Sequence, residues 1–374
     1  MKNKILFVGG TWYNEGGKPS KIVNLFSKEL KNIDLYNGGN YKDLNNILES
    51  VINYEIVLWW PNIPNNLPKL KKVKEINYKT MLVSSKRNNN EYSFQELLQR
   101  SFEIKSNLII EFTKEENIYK MRLFDPLGNV WYYGTDIKEC SKKLITRLNF
   151  IKSIKRESTI SDEENKGVLA WFFNDFKEEM YNSNIKVETP IKEEFINVIK
   201  EYAIKLAENT FHTTDVKRFL GNASLRCPKG FPSFRDKDYI FVSKRNINKE
   251  FITINDFVPV YEKDNKIYYC GNNKPSVDSP IQVKLYKKLK NINYMIHSHC
   301  YLKDAPYTKT PLPCGAIDEV NEIINTIKEN YKSLNKTFYK INLKGHGSII
   351  MSKNIENLKN VEIISRNLPE YIKK

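Results

Sequence analysis

In the first third of the chain, short hydrophobic runs alternate with hydrophobic positions at helical spacing. Ile5-Leu6-Phe7-Val8 is a strand-like run leading into a glycine turn at Gly9-Gly10, after which Ile22, Leu25, Phe26 and Leu30 recur at the interval of one helix face. Ile33 to Tyr36 reads as a second strand, Leu44, Ile47, Leu48 and Val51 as a second helix, and Ile56 to Trp60 as a third strand. Met81-Leu82-Val83 predicts a further strand, and Phe94, Leu97, Leu98 and Phe102 a further helix. Leu108-Ile109-Ile110 opens a pair of longer strands. Met121 to Phe124 and Val130 to Tyr133 flank Asp125-Pro126-Leu127-Gly128-Asn129, whose proline and glycine suit a tight hairpin turn. A helix through Leu144 and Leu148 closes the unit. Strands alternating with helices predict an α/β fold for residues 1–150, a Rossmann-like open sheet.

Residues 151–166 are mostly polar and charged and read as a linker, leaving 167–374 as a second domain. That domain begins with an apolar patch (Val168, Leu169, Trp171, Phe172, Phe173, Phe176). An amphipathic helix follows from about Glu193 to Phe211, with Phe195, Val198, Ile199, Tyr202 and Leu206 on its core face. A length of 374 residues suits two domains, and 40% hydrophobic with 12% aromatic residues supplies their cores. No apolar run approaches the roughly 20 residues of a membrane-spanning helix, so no membrane partner is expected. The apolar stretch after Met1 is too short for a signal peptide. Five cysteines (Cys140, Cys227, Cys270, Cys300, Cys314) form no CxxC pair, which favours a reducing, cytoplasmic setting over a disulfide scaffold. The net charge of +16 is spread along the whole length. Clusters such as Lys69, Lys71, Lys72 and Lys74 read as a solvated helix face, and no nucleic-acid motif accompanies them.

Candidate chemistry concentrates in two places. The first is the loop Gly9-Gly10-Thr11-Trp12, with Gly16-Gly17-Lys18-Pro19-Ser20 ahead of the first helix. It matches neither GxGxxG nor the P-loop pattern, which argues against NAD and ATP. Ligands of open α/β sheets bind at the carboxyl ends of the strands. That edge gathers Gly9, Gly10, Thr11 and Trp12, Trp59-Trp60-Pro61-Asn62 and Ser84-Ser85-Lys86-Arg87. Such a mixture suits a nucleoside, nucleotide or sugar; loops that simply cap an inert sheet are the competing reading.

The second place is set by histidines, of which the chain has only four. His297 and His299 end the strand-like run Ile292 to Ile296, and positions i and i+2 of a strand share a face about 6.5 to 7 Å apart. Two readings are open to such a pair: two hydrogen-bonded strand histidines, or two ligands of one divalent metal. The third histidine, His346, lies in Lys344-Gly345-His346-Gly347-Ser348, where the glycines allow close backbone approach. Three neutral imidazoles with an open position form the ligand set of a catalytic metal site. Cys300 points to the opposite face and reads as core. His212, ending a helix, reads as a structural cap.

The order of further elements resembles the class II aldolase/adducin family from about residue 190 to 360. A helix leads to Gly221-Asn222-Ala223-Ser224-Leu225-Arg226, and Tyr239 to Arg245 supplies a strand and turn. Pro275-Ser276-Val277-Asp278-Ser279-Pro280 stands where the family has Pro-Ser-Ser-acid, 19 residues separating Asp278 from His297. The histidine pair, Pro311 to Gly315, the helix carrying Val320, Ile323, Ile324 and Ile327, and His346 complete the sequence of elements.

The resemblance implies an α/β/α domain in which His297, His299 and His346 hold a divalent metal, Zn²⁺ or a similar ion. It further implies retro-aldol cleavage, or the related epimerisation, of a phosphorylated or nucleoside-linked sugar through a metal-stabilised enediolate. Asp278 takes the acidic position, as acid-base group or fourth ligand, its PSxDxP setting being closer to the ribulose-phosphate 4-epimerase branch. Gly221, Asn222, Ser276 and Ser243 take the positions that hold the anionic end of the substrate. Val277 replaces a serine, Lys244-Arg245 replaces a small-residue turn, and Gln282 stands where the family often has His, so the substrate is left open. The resemblance also implies a homo-oligomer, a tetramer, with Tyr371 as a candidate for a tyrosine that covers a neighbouring subunit's site. The rival expectations are a dehydratase or other lyase on the same fold, and a non-catalytic, adducin-like scaffold.

Overall fold

A computed structural model of the chain describes residues 4–77, 80–89, 92–116, 118–157, 180–182, 191–209, 221–228, 239–245, 247–270 and 273–372. They fall into two compact units, the first built from the described residues up to Arg156 together with those from Leu368 onward. The apolar patch at Val168 to Phe176, most of the polar stretch 151–166, and His212 lie outside the described residues.

The first unit contains β1 (Ile5–Tyr13), α1 (Lys21–Ser27), β2 (Ile33–Asn40), α2 (Tyr41–Glu49), β3 (Ile56–Trp59), α3 (Val73–Ile76) and β4 (Met81–Asn88). It continues with α4 (Phe94–Glu103), β5 (Leu108–Glu115), β6 (Ile118–Phe124), β7 (Asn129–Gly134) and α5 (Ile137–Glu157), so the helix runs on into the expected linker. One sheet runs β2-β1-β3-β4-β5-β6-β7, parallel as far as β5, with β6 and β7 added as antiparallel hairpins. The last strand of the chain, β18 (Glu370–Tyr371), closes the edge by pairing with β7 in parallel. Tyr371 meets Tyr133 edge to face at 5.8 Å.

Alternation along β1 divides the two faces of this sheet. Leu6 and Val8 pack with Leu44 and Leu48 of α2, while Phe7 joins Trp60 at 4.7 Å and Trp60 in turn meets Phe26 and Phe112. The helix α4 starts where capping chemistry places it: Ser93 Oγ accepts from Glu96 N at 3.3 Å, and the Glu96 carboxylate accepts from Ser93 N at 2.6 Å.

Two expectations change. Gly9-Gly10 does not turn the chain: β1 continues to Tyr13 through a register shift between Gly9 and Trp12, because Gly10 at φ +74° absorbs a bulge instead. The lysine cluster is not one solvated helix face either. Lys74 is buried and donates from Nζ to Thr80 O at 2.7 Å, and burial pulls its pKa down to about 7.

The second unit carries β8 (Met180–Asn182), α6 (Glu193–Asn209), β9 (Asn222–Arg226), β10 (Ile240–Ser243), β11 (Phe257–Lys263), β12 (Lys266–Tyr269), α7 (Ser279–Lys288) and β13 (Tyr294–Ser298). After these come β14 (Tyr301–Leu302), α8 (Glu319–Tyr331), β15 (Phe338–Leu343), β16 (Gly347–Ser352), α9 (Glu356–Lys359) and β17 (Ile363–Ile364). Its main sheet runs β15-β16-β13-β9-β10-β11-β12-β8 and is antiparallel apart from the β12–β8 pair. β14 and β17 form a separate antiparallel pair.

Alternating side chains build a three-layer α/β/α arrangement. Met295, Ile349 and Met351 share one core with Leu285 of α7 and Ile323 and Ile327 of α8. Ile296 and Ile350 share the other with Phe195 and Ile199 of α6 and Leu358 of α9. Among the described residues, no helix is long and apolar enough to cross a membrane.

Candidate metal site

β13 lies between β9 and β16, so whatever its end carries is enclosed on both sides. His297 is the fourth residue of β13, and His299 follows one residue beyond the strand. His346 sits in the turn between β15 and β16. Gly347 makes this meeting possible, since a Cβ there would run into the Ser298 carbonyl oxygen and come within 2.7 Å of His299 Cα. Gly221 plays the same part on the β9 side at φ +87°, where a Cβ would lie 2.6 Å from His297 O. The chain thus brings three imidazoles from distant positions together, their ring centroids 4.7 to 5.1 Å apart. One nitrogen from each ring lies within 4.8 Å of the others.

Neighbouring acceptors fix which nitrogen carries the proton. His297 Nδ1 donates to the Ser348 carbonyl oxygen at 2.9 Å. His346 Nδ1 faces Glu319 Oε1 at 2.8 Å. In both rings Nε2 is buried without a partner. A buried nitrogen that presents a lone pair is costly unless something binds it, and a ring whose other nitrogen is held by a carbonyl or carboxylate is the usual form of a metal-binding histidine. Burial and the neighbouring His346 hold the His297 pKa down to about 4. Burial, followed by His346 and His297, holds His299 well below the ordinary histidine value. Burial also disfavours charge on His346, but the Glu319 carboxylate outweighs it and the pKa lies above the usual value. Burial raises the pKa of Glu319 in spite of that neighbour. The donor set therefore fits a divalent cation: three buried imidazoles, with two lone pairs left unused.

Asp278 lies at the start of α7 with Oδ2 3.9 Å from His297 Nε2. Asn222 Nδ2 donates to the same oxygen at 2.7 Å, and Cys314 Sγ contacts Oδ1 at 3.7 Å. Gln282, standing where the family often has histidine, donates from Nε2 to Asn222 Oδ1. The candidate anion-holding residues pack behind this carboxylate. Ser276 Oγ accepts from Asp278 N at 3.4 Å, Ser243 Oγ accepts from Ala223 N at 3.2 Å, and Ser276 N donates to Ser243 O at 3.1 Å. Asn222 and Ser243 are fully buried, and the Asn222 amide is engaged at both ends. Lys244 pairs with Asp256 at 3.1 Å.

Glu319, which meets His346, is not among the candidates that the sequence offers. Asp318-Glu319 before Val320 has the pattern of ordinary first-turn acids, and only the fold turns Glu319 inward to His346. Arg366 was missed for the same reason; it donates to His346 O at 3.1 Å. Cys300 is buried, as expected, but it lies two residues beyond β13 rather than on a strand face.

In the first unit, the four loop residues part company. Trp12 is buried and donates from Nε1 to Gly9 O at 2.8 Å. Gly9 and Gly10 leave no room for side chains, being pressed against Val23 and Gly38 respectively. Of the four, Thr11 lines a cleft at the sheet edge.

Residues 203–303 match the family model of the class II aldolase and adducin N-terminal domain. The match spans Gly221, Asn222, Asp278, His297 and His299 and ends before His346. No curated protein matches the sequence. Among solved structures, an L-fuculose 1-phosphate aldolase is 17% identical, covering 46% of this chain and 80% of its own, with a TM-score of 0.31. The L-fuculose-1-phosphate aldolase of Thermus thermophilus is 14% identical, covering 43% of this chain and 79% of its own, with a TM-score of 0.28. An aldolase II superfamily protein of Pseudomonas syringae is 12% identical, covering 46% of this chain and 71% of its own, with a TM-score of 0.30.

Proposed function

We propose that this class II aldolase/adducin-family domain is a metal-dependent lyase that cleaves a phosphorylated or nucleoside-linked sugar by a retro-aldol reaction, or epimerises it by the related reversal. The observation that carries the reading is the meeting of His297, His299 and His346 beside Asp278, with Nε2 of His297 and His346 unpartnered. These three residues would hold a divalent cation, and three neutral nitrogen ligands suit Zn²⁺. When bound, such an ion supplies a Lewis acid that draws charge from an oxygen beside the reacting carbon.

The chain's own residues set the conditions for that chemistry. Ser348 O and Glu319 orient two of the rings and hold their Nε2 lone pairs inward. Asp278 is the carboxylate placed to take and return the substrate's proton, held by Asn222 against rotation. The anionic end of the substrate is assigned to the wall that Gly221 and Ser276 form, with Asn222 and Ser243 packed behind it and the Ser276 hydroxyl keeping a proton to donate. Assembly as a homo-oligomer in a reducing, cytoplasmic setting belongs to the same reading.

The test is the metal content of the full chain purified without added metal, followed by assay of sugar phosphates for aldol cleavage. About one Zn, Mn, Fe or Co per chain, lost in His299→Ala together with turnover, is the expected result. An active metal-free protein overturns the proposal. Asp278→Asn separates the carboxylate's two roles: it keeps the metal and loses turnover if Asp278 moves the proton, and loses both if Asp278 is a ligand.

A further inference from the structure

Away from the histidines, the first unit carries a cleft of about 540 Å³ at the carboxyl edge of its parallel sheet. Residues at the ends of β1, β4 and β5 and at the start of β6 line it, together with the loop that joins β1 to α1. Open α/β sheets take their ligands on this edge.

The composition of the lining is one-sided. Lys18, Lys21, Arg87 and Lys114 all border the cleft, and among the described residues no acidic side chain does. These four side chains enter no ion pair among the described residues, unlike Arg122 with Glu111, Lys152 with Glu55 and Lys4 with Asp34 in the same unit. Four cations gathered in a concave site without counter-charge create a strong positive potential that only an anion relieves. Guanidinium and ammonium groups together suit phosphate oxygens, the first as a fork of donors and the second as a point charge.

The cations stand on a braced frame rather than a loose loop. Thr11 N donates to Lys18 O at 2.9 Å, Lys18 N donates to Thr11 Oγ1 at 2.8 Å, and Gly17 N donates to Gly39 O at 2.8 Å. Ser20 N donates to Asn37 Oδ1 at 2.8 Å. Arg87 Nη2 reaches across from β4 to Ser20 Oγ at 3.2 Å. Such bracing lowers the ordering cost of binding. Beside the charges lie aromatic rings: Tyr13 is 46% exposed, and Tyr119, part-buried, packs edge to face on Phe112 at 6.5 Å.

We propose that this cleft binds a phosphorylated small molecule, its phosphate among Lys18, Lys21, Arg87 and Lys114 and its ring or sugar against Tyr13 and Tyr119. The shared chemistry is a phosphate ester on a compact organic body, which either a nucleotide or a sugar phosphate supplies. Nothing in this inference depends on the histidine site or on its metal.

Isothermal titration of the full chain with AMP, ribose 5-phosphate, adenosine and inorganic phosphate tests it. Saturable binding of AMP or of ribose 5-phosphate is expected, and the tighter of the two identifies the source. That binding should weaken at least about tenfold in Arg87→Ala and in Lys114→Glu, and should fall as salt rises from about 50 to about 500 mM. Lys142→Ala, which removes an exposed lysine away from the cleft, should leave it unchanged. Circular dichroism and unfolding temperature serve to show that the variants stay folded. The proposal is overturned if neither ester binds, if inorganic phosphate binds as tightly as both esters, or if folded Arg87→Ala and Lys114→Glu proteins bind like the parent.

Discussion

The two units of this chain differ in what they bury. In the first, two buried carboxylates are matched. Glu111 is held by Arg122 at 2.5 Å and by Asn88 at 2.6 Å, and buried Asp125 accepts from Leu127 N, Asn129 and Trp131. Four cations of that unit without an ion partner among the described residues stand together at its surface, on the carboxyl edge of the sheet. In the second, three imidazoles are packed into the interior with two ring nitrogens unanswered. A parallel sheet exposes all its strand ends at one edge, which favours a site made from surface cations. An antiparallel sheet brings a mid-strand residue and a hairpin turn side by side, which favours a site made from buried neutral ligands. Paired carboxylates favour folding; unpartnered imidazole nitrogens store a demand that a ligand satisfies.

The largest expected effect falls on backbone approach in the second unit. Gly347→Ala forces β16 away from β13, since the new Cβ would meet the backbone of Ser298 and His299. It should destabilise that unit by at least ~3 kcal/mol, seen as an early melting step with hydrogen-exchange protection lost in β13 and β16. The first unit supplies the counterpart. Arg122→Leu leaves the buried Glu111 carboxylate without its partner and should cost about 3 kcal/mol in chemical denaturation. An unchanged midpoint would mean that the pairing does not support the fold.

A subtler substitution separates folding from ligand readiness. Glu319→Gln keeps the shape and a hydrogen-bond acceptor while removing the charge beside His346, so metal affinity should fall roughly 10- to 100-fold with little loss of stability. Competition with a chelator measures it, and an unaltered affinity would show that Glu319 has no part in presenting the ring.

Acidification is the mildest probe. His297, held near 4, and His299, held well below the ordinary histidine value, stay neutral in the fold while the unfolded chain takes up protons below about 6.5. Below that pH the unfolded state binds more protons, so these two residues make the metal-free protein lose stability as pH falls from about 6.5 towards 4. His346, with its raised value, works in the opposite direction and reduces the slope. A fall of several degrees in unfolding temperature is expected across that window, and a smaller one in His299→Gln.

Much of this was legible along the chain because it depends on local spacing. The strand and helix order of residues 5–150 follows from periodicity, and the Asp125 to Asn129 hairpin turn from its proline and glycine. The HxH pair declares its shared face through the two-residue repeat of a strand. Other features depended on meetings that spacing cannot specify. Gly9-Gly10 looks the same whether it turns a chain or bulges a strand; hydrogen bonding to β2 and β3 decided it. Lys74 reads as solvated until the fold closes over it and offers the Thr80 carbonyl.

By itself, then, the sequence determined the α/β character of both units, the candidate ligands His297, His299 and His346, and the acid at position 278. Tertiary structure alone decided that Glu319 turns inward to His346, that Asn222 is spent on Asp278 and Gln282, and that Thr11 rather than Trp12 faces a cleft. It also decided that Lys18, Lys21, Arg87 and Lys114 stand around one cavity. The reason is physical: periodicity records which face of an element is buried, but not which distant side chain will be waiting there.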